Sequence, residues 1–235
     1  MNSNAQKAPK EMFVGAPPEW SLNQPKSLLQ QGWDFLGAPL RMVLLPDHLN
    51  EKMHFTSLRA ERLANVLPQL EGRCLDIGAG DNMLLKLYQK KNSDDKAHPA
   101  HQSVGLDVED WGSNCTIVEN CKKLPFDDNS FDTVCFIACI NHIPERVEAL
   151  QETMRILKPG GKVIITMIGK VIGEIGHAIW WYSEDKHRDV HEEELMGMNS
   201  SHIIKLLKDT GFNDIDEQGF VYNLNRLYIA KKDAA

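Results

Sequence analysis

The chain has 235 residues, a formal net charge of −7, 42% hydrophobic residues and 25% charged residues, which is ordinary for a globular protein with one main domain. Basic residues occur only in short groups such as Lys122-Lys123, which argues against a broad nucleic-acid surface. No apolar run reaches the roughly 18 residues that a membrane-spanning helix needs.

The cysteines do not follow the paired spacing of a zinc site. We therefore expect reduced thiols and no bound metal ion, with no nucleic-acid partner and no stable membrane insertion. Because the start of the chain does not resemble a secretion signal, we expect a cytoplasmic location. The cysteines are Cys74, Cys115, Cys121, Cys135 and Cys139.

The first 68 residues differ in composition from the remainder of the chain. Residues 1–18 are polar and proline-rich, which predicts a flexible start. Residues 19–68 carry aromatic and apolar side chains at loosely helical spacing. They predict a helical N-terminal layer that either packs on the core or covers a pocket as a lid. Within this layer, residues 49–67 have the pattern of one helix that ends at Pro68.

Residues 73–82 read Arg-Cys-Leu-Asp-Ile-Gly-Ala-Gly-Asp-Asn and predict a strand, a tight turn and the start of a helix over 83–91. Glycines let the backbone bend sharply and let a ligand come close to it. A dinucleotide-binding turn has a third glycine where this chain has Met83. The carboxylate of Asp76, two residues before Gly78, would repel a diphosphate and attract a cationic ligand.

A second buried strand is predicted over residues 104–107, and it also ends in an acid, Asp107. In nucleoside-binding α/β folds, a carboxylate at this strand end can accept hydrogen bonds from both ribose hydroxyls. The alternative is that Asp107 only caps a helix or closes a turn. We favour the ribose role because the glycine turn lies about 27 residues upstream.

The rest of the chain alternates short strands with helices, which is typical of a mostly parallel sheet covered on both faces. Residues 169–200 leave this pattern, and we interpret them as a cap insertion in a main domain over 69–235. The other predicted elements are a polar loop over 92–102, strands over 115–118 and 133–138, an amphipathic helix through Val147, Leu150, Met154 and Leu157, a strand after Gly161, a helix over 201–210, and final strands over 212–216 and 220–230 separated at Gly219.

Four motifs in order resemble the class I S-adenosylmethionine-dependent methyltransferases, and in particular the quinone-biosynthesis (methyltransferase type 11) subfamily. They are the acid and Gly-x-Gly turn at 76–80, Leu-Pro-Phe-Asp-Asp-Asn-Ser-Phe-Asp at 124–132, Ile-Asn-His-Ile-Pro at 140–144 and Leu-Lys-Pro-Gly-Gly at 157–161. The resemblance implies a doubly wound α/β fold with a seven-stranded, mostly parallel, Rossmann-like sheet. It also implies S-adenosylmethionine as the cofactor.

The resemblance also implies a set of cofactor-binding residues at the ends of the first four strands. One position departs from the family pattern, because Asn120 stands where the family often has an aspartate that accepts from the adenine amino group. Its side-chain carbonyl can still accept a hydrogen bond but carries no charge. The implied cofactor-binding residues are Asp76, Gly78, Ala79, Gly80, Asn82, Asp107, Val108, Asn120, Cys121 and Ile137.

Methyl transfer mainly requires alignment and exclusion of water, and a base helps when the acceptor is oxygen or carbon. The first candidate base is His142, in the loop after the fourth strand, for which a packing or hydrogen-bonding role is the alternative. The cap insertion offers His177, Tyr182, His187 and His191 as further candidates. His187 and His191 are four residues apart, which fits either a metal site or a solvated polar helix, and we favour the solvated helix. We interpret Trp180, with Trp181 and Tyr182, as an aromatic pocket wall or as core.

The predicted function is methyl transfer from S-adenosylmethionine to a small-molecule acceptor that is apolar or aromatic and has a polar head. The alternative is a methyltransferase-like module that binds the cofactor without turnover. A nucleotide-dependent oxidoreductase is disfavoured by Asp76 and by the missing third glycine. A nucleic-acid base methyltransferase is disfavoured because the loop at 140–144 lacks that group's Pro-Pro motif. The acceptor atom and the oligomeric state stay open.

Overall fold

The computed structural model describes residues 15–179 and 194–234. Over these ranges, one sheet lies between two layers of helices. The strands are β1 (Cys74–Ile77), β2 (Val104–Asp107), β3 (Thr116–Ile117), β4 (Phe131–Ile137), β5 (Leu157–Ile168), β6 (Asp214–Phe220) and β7 (Asn225–Lys231). The helices are α1 (Leu28–Leu36), α2 (Asp47–Lys52), α3 (Leu58–Val66), α4 (Met83–Lys91), α5 (Arg146–Ile156), α6 (Lys170–Ile179) and α7 (Ser200–Asp209).

The sheet has seven strands in the order β3-β2-β1-β4-β5-β7-β6. Strands β1 to β5 pair in parallel, and β7 runs antiparallel to both β5 and β6. This order confirms the predicted doubly wound, mostly parallel sheet. The chain order reverses at β1, where Leu75 aligns with Val104 of β2 on one side and with Val134 of β4 on the other. A crevice at the carboxyl ends of β1 and β4 is therefore where such a sheet binds ligands.

Apolar residues alternate between the two faces of the sheet, as the two-residue period of a strand requires. On one face, Phe136 of β4 and Ile165 of β5 pack with residues of α5 and α7. On the other face, Cys135 of β4 and Ile164 of β5 pack with residues of α3 and α4. This three-layer arrangement fixes the strand ends at the crevice.

The predicted single helix over 49–67 is wrong, because the structure has two helices, α2 and α3, in its place. His54 adopts a left-handed conformation (φ 61°) and ends the first helical segment. Thr56 is buried with its backbone N–H donated to the Asp34 carboxylate (2.8 Å), and Ser57 then caps α3 by accepting from the Ala60 N–H (3.1 Å). These tertiary contacts outweigh the local helical pattern.

The boundary predicted between the last two strands is also wrong. Gly219 lies inside β6, and the turn falls at residues 221–224, where Val221, Tyr222 and Asn223 all have positive φ. The other strands and helices for which bounds are predicted lie within about two residues of them, as expected for boundaries drawn from pattern alone, whereas α1 and α6 have no predicted bounds. The exceptions are the start of β5, which includes the Leu-Lys-Pro-Gly-Gly segment, and a short 3-10 turn, Pro99–Gln102, within the predicted loop.

A buried charge cluster joins the segment around α1 to α3 within the N-terminal layer. Asp34 and Glu61 both accept from Lys26, and Arg41 donates to Glu61 (3.0 Å) and to the Thr56 carbonyl (2.6 Å). The pKa of Asp34 is lowered by hydrogen bonds from Lys26 and Thr56, which outweigh its desolvation. The cluster contains equal numbers of cations and anions, so each buried charge has a partner. Whether the layer is a lid stays a prediction, as do the domain boundaries at 18 and 68.

Candidate active site

The turn after β1 is built from alternating left-handed residues, namely Gly78 (φ 69°), Gly80 (φ 54°) and Asn82 (φ 59°). The backbone N–H groups of Gly78 and Ala79 both donate to the Leu106 carbonyl of β2, at 2.8 and 3.1 Å. The Gly80 N–H donates to the Asp107 carboxylate, and the Asn82 N–H donates to the Ala79 carbonyl. These four N–H groups are therefore satisfied within the protein and are not arranged to cradle a phosphate.

Asp76 lies in β1, two residues before the first glycine of this turn, and is 3% exposed. Its Oδ1 is buried and has no hydrogen-bond partner within the described part of the chain. Desolvation, reinforced by the negative charges of Asp107 and Asp81, raises the pKa of Asp76 to about 8. A buried carboxylate without a partner is costly, so this group is suited to a ligand that brings a positive charge or a hydrogen-bond donor.

Asp107, at the end of β2, connects the two strand ends. Its Oδ2 accepts from the Gly80 N–H (2.9 Å) and its Oδ1 accepts from the Glu109 N–H (3.1 Å). Each carboxylate oxygen keeps a further lone pair, so the group can still accept from a ligand hydroxyl. The next residue, Val108, is 53% exposed and presents an apolar side chain beside the same strand end.

The turn after β4 faces the turn after β1 across the crevice. A Cβ atom added to Gly78 would lie 2.7 Å from the Cβ of Cys139, so only glycine fits there. Cys139 donates its thiol to the Ile77 carbonyl (2.9 Å), and Ala138 adopts a left-handed conformation (φ 55°) that is unusual for a residue with a side chain. Ile137 precedes them. It is half-buried and packs against the apolar cluster that Cys135 and Ile164 form with residues of α3 and α4.

Three further predicted residues border the crevice, and they have fewer free hydrogen-bonding positions than the two carboxylates. They are Asn82, Asn120 and Cys121. Asn82 directs its buried Oδ1, which has no described hydrogen-bond partner, toward Gly105 of β2. The Oδ1 of Asn120 accepts from the Lys122 N–H (3.0 Å), which closes a local turn. Cys121 is buried, and desolvation raises the pKa of its thiol to about 11.

His142, in the loop after β4, contacts a residue that sequence reasoning did not single out. Its Nδ1 lies 2.9 Å from Oε2 of Glu194, whose side chain is 1% exposed. Asn141 donates its side-chain amide to the Leu195 carbonyl (2.7 Å) and lies 3.1 Å from His142 Nε2. The Leu195 N–H donates to the Asn141 carbonyl (2.9 Å), so residues 194–195 are fixed to this loop. The carboxylate of Glu194 thus orients the imidazole, with Nδ1 as the protonated nitrogen.

Several sequence-predicted residues are not part of this geometry. His177 lies in α6, but its side chain is outside the described residues, and so are Trp180, Trp181, His187 and His191. Over 15–179 and 194–234, no group of three or more His, Cys, Asp or Glu side chains is arranged to hold a metal ion. The described cysteines form no disulfide. No helix in these ranges is long and apolar enough to cross a membrane.

The fold is that of the class I S-adenosylmethionine-dependent methyltransferases, and comparison with known proteins agrees. Residues 75–165 match the family model described as a methyltransferase domain. A methyltransferase from Haloferax volcanii, solved in complex with the Trm112 activator, has the same fold with a TM-score of 0.57, 14% identity, and coverage of 87% of this chain and 96% of that chain. An S-adenosylmethionine-dependent methyltransferase from Thermotoga maritima superposes with a TM-score of 0.52 at 18% identity, covering 74% and 88% of the two chains.

Curated relatives place the chain near two groups within this class. It is 26% identical over 225 residues to the ubiquinone/menaquinone biosynthesis C-methyltransferase UbiE of Rickettsia felis, covering 79% of this chain and 87% of that protein. It is 32% identical over 108 residues to phosphoethanolamine N-methyltransferase 2 of Caenorhabditis elegans, covering 46% of this chain and 23% of that protein. The chain spans about half the length of the UbiE protein of Salmonella paratyphi B, covering 49% of it.

Residues 75–165 therefore match a methyltransferase domain, and the chain as a whole is similar to class I S-adenosylmethionine-dependent methyltransferases, those of quinone biosynthesis among them. A domain of this kind implies S-adenosylmethionine as the cofactor. The residues present fit that group. The buried Oδ1 of Asp76 has no described partner, a second acid lies at the next strand end, and the N–H groups of both glycines of the turn are already bonded within the protein. This arrangement suits a cationic nucleoside better than a diphosphate.

Proposed function

We propose that the protein transfers a methyl group from S-adenosylmethionine to a small-molecule acceptor that is apolar or aromatic and has a polar head. The main observation that supports binding of this cofactor is the buried Oδ1 of Asp76 just before the glycine turn. The names of the relatives refer to quinone biosynthesis and to phosphoethanolamine, and both support a small molecule as the methyl acceptor. A cytoplasmic location and the absence of a nucleic-acid partner belong to the same proposal.

The cofactor supplies an electrophilic methyl group on a sulfonium, and the chain's residues hold and orient it. In this proposal Asp76 attracts the positively charged part, and Asp107 accepts from the ribose hydroxyls. Gly78, Ala79 and Gly80 allow close approach of the backbone. The side chains proposed to surround the remaining parts of the cofactor are Asn82, Val108, Asn120, Cys121 and Ile137.

The role of Asn120 is testable because its side-chain carbonyl already serves the Lys122 N–H. We expect Asn120→Asp to keep cofactor affinity, since a carboxylate accepts the same N–H and an adenine amino proton. Asn120→Leu should weaken binding by about tenfold, the size of one lost hydrogen bond. Titration calorimetry gives both affinities, and thermal unfolding checks the fold. Equal affinity for the leucine variant and the parent would show that Asn120 does not contact the base.

His142 is proposed as the base that receives a proton from the acceptor at Nε2, with Glu194 as its positioning residue. Because Glu194 holds the Nδ1 proton, Nε2 is the nitrogen with a lone pair, and Asn141 lies next to it. A hydroxyl group of the methyl acceptor would have to replace the Asn141 amide as the neighbour of His142 Nε2. His177 stays a second candidate.

We expect His142→Gln to lower kcat by about 10²- to 10⁴-fold, the usual contribution of a general base, while cofactor affinity stays unchanged. Glu194→Gln should lower kcat less and shift the pH profile of kcat, because the imidazole is retained. The measurements are steady-state kinetics across pH and cofactor calorimetry. A histidine variant that melts earlier but turns over at the parental rate would show that the histidine only packs the loop.

The proposed activity is tested with methyl-labelled S-adenosylmethionine, the purified full chain, and cell extract divided into aqueous and organic-soluble fractions. We expect label to appear in an organic-soluble small molecule, and Asp76→Asn to abolish this transfer. Label in nucleic acid or protein would contradict the proposed acceptor class. Tight cofactor binding without transfer to any fraction would favour the module that binds without turnover.

A further inference from the structure

Helix α1 is oriented with its polar side toward the protein and its apolar side toward solvent. Asp34 is buried, whereas Leu28, Leu29 and Leu36 are 84%, 88% and 75% exposed. Trp33 and Phe35 are also exposed, and Gly32 lies among them with open space around it. At 100° per residue these side chains form one continuous apolar face. In a helix of a globular protein this face is normally the buried one.

The inverted orientation is fixed by specific contacts on the polar side of α1. Asp34 accepts from Lys26 (2.7 Å), from the Thr56 N–H (2.8 Å) and from Gln30 (3.0 Å). The Nε of Arg41 donates to the Asp34 carbonyl (3.1 Å). Rotating α1 to bury the leucines would break these buried charged contacts, so the apolar face is an outer surface of the part of the fold that the structure describes.

The exposed face continues onto neighbouring elements at the carboxyl edge of the sheet. Phe35 contacts Tyr222 edge to face, with ring centroids 5.9 Å apart, and Tyr222 lies in the β6–β7 turn next to the end of β5. α6, which begins at the same edge, lies beside the Leu40–Leu44 turn and exposes Val171 and Ile175. The combined face, which we call the α1 face, comprises Leu28, Leu29, Trp33, Phe35, Leu36, Leu44, Val171, Ile175 and Tyr222.

The segment that carries α1 presents no exposed charge, although the chain as a whole has a net charge of −7. Between residues 23 and 45 the charged side chains are Lys26, Asp34 and Arg41. All three are mostly buried and take part in the buried charge cluster described above. The α6 part of the face lies beside one exposed ion pair, Lys170–Glu174, which adds no net charge. The α1 face is thus neutral overall, apolar and partly aromatic. These properties suit the boundary between lipid headgroups and acyl chains, where tryptophan, phenylalanine and leucine are favoured and a charged rim is not required.

We propose that the α1 face docks the protein onto the surface of a lipid bilayer. The alternative is that a second copy of the chain covers the α1 face. α1 is only about 14 Å long, and the other four side chains of the face lie on three separate elements, so the face lacks the long continuous ridge along which two helices pack in a dimer. Insertion of a few side chains into a bilayer needs no such ridge. The inference goes beyond the proposed function and does not depend on turnover.

The test is flotation of the full chain with vesicles of zwitterionic phosphatidylcholine. We expect the parent protein to float with the vesicles and the double variant Leu28→Ser/Leu29→Ser to partition at least about tenfold less, because two leucines no longer enter the apolar region. Both side chains are highly exposed, so the variant should fold normally, which circular dichroism checks. The matched control is Val147→Ser, an exposed apolar residue on α5, which should float as the parent does.

Three results would overturn the proposal. The parent chain could fail to float with the vesicles, or the double variant could float as well as the parent. Alternatively, sedimentation could reveal a dimer that the double variant dissociates while neither protein binds vesicles, and the occupant would then be a second copy. Because cofactor binding and turnover are not measured in this experiment, its failure would leave the proposed methyl transfer unaffected.

Discussion

Asp76→Asn is expected to stabilise the unliganded protein while abolishing cofactor binding. The folded-state pKa of Asp76, about 8, lies above the value near 3.9 of an unfolded aspartate. Between these pH values the folded protein binds a proton that the unfolded chain has released, so this group lowers stability progressively as pH rises from about 4 to about 8. Asparagine has no ionised form, and its introduction removes this cost, which is up to about 4 kcal/mol at pH 7.

The measurement is the free energy of unfolding in denaturant at pH 5, 7 and 9, with cofactor titration calorimetry at pH 7. The stability gain of Asp76→Asn over the parent should be larger at pH 7 than at pH 5 and largest at pH 9. Asp94→Asn, at an exposed aspartate, changes the formal charge equally and should alter stability by less than about 0.5 kcal/mol. A destabilised Asp76→Asn that still binds the cofactor would contradict the role assigned to the carboxylate.

Gly78→Ala is expected to eliminate cofactor binding and to destabilise the protein by about 2–4 kcal/mol. Two costs add at this position. The left-handed φ of 69° costs a residue with a side chain about 1–2 kcal/mol, and the new Cβ would lie 2.7 Å from the Cβ of Cys139. Relief of this contact has to move the turns after β1 and β4 apart, and both border the crevice.

Gly160→Ala measures the backbone cost without the steric one. Gly160 has a similar φ of 75°, but no atom lies within 4 Å of its added Cβ. This control should lose only about 1–2 kcal/mol of stability and should keep full cofactor affinity. Thermal unfolding and calorimetry on both variants give the comparison. If the two variants lose the same stability and Gly78→Ala still binds, the tight approach of Gly78 and Cys139 has no part in the site.

The centre of the fold could be predicted because its signals are local. The strand that ends at Ile77 and the helix that begins at Met83 follow from an apolar run, two glycines and a helical period within eighteen residues. The acids at 76 and 107 could be placed at neighbouring strand ends for the same reason. The seven-stranded, mostly parallel sheet followed from the family resemblance, and the structure confirms it.

The features that could not be predicted depend on contacts between distant residues. Glu194 is one of three consecutive glutamates in the sequence, and only the folded chain brings it to His142, 52 residues away. The break between α2 and α3 depends on the Asp34 carboxylate, which bonds Thr56 from 22 residues upstream. The apolar residues of α1 predicted a layer that packs on the core or covers a pocket, whereas the charge pairing of Asp34 turns their side chains outward.

The central claim is that the buried carboxylate just before the glycine turn holds S-adenosylmethionine. Its most direct test is a calorimetric titration of this cofactor at pH 7 in two buffers with different ionisation enthalpies. Because the pKa of Asp76 is about 8 in the unliganded protein, the carboxyl is mostly protonated at pH 7 and must ionise to hold a cation. We expect one-to-one binding with net release of between about half and one proton, and loss of binding in Asp76→Asn. Absence of binding by the parent protein, or binding that releases no proton and is unchanged in Asp76→Asn, would contradict this account.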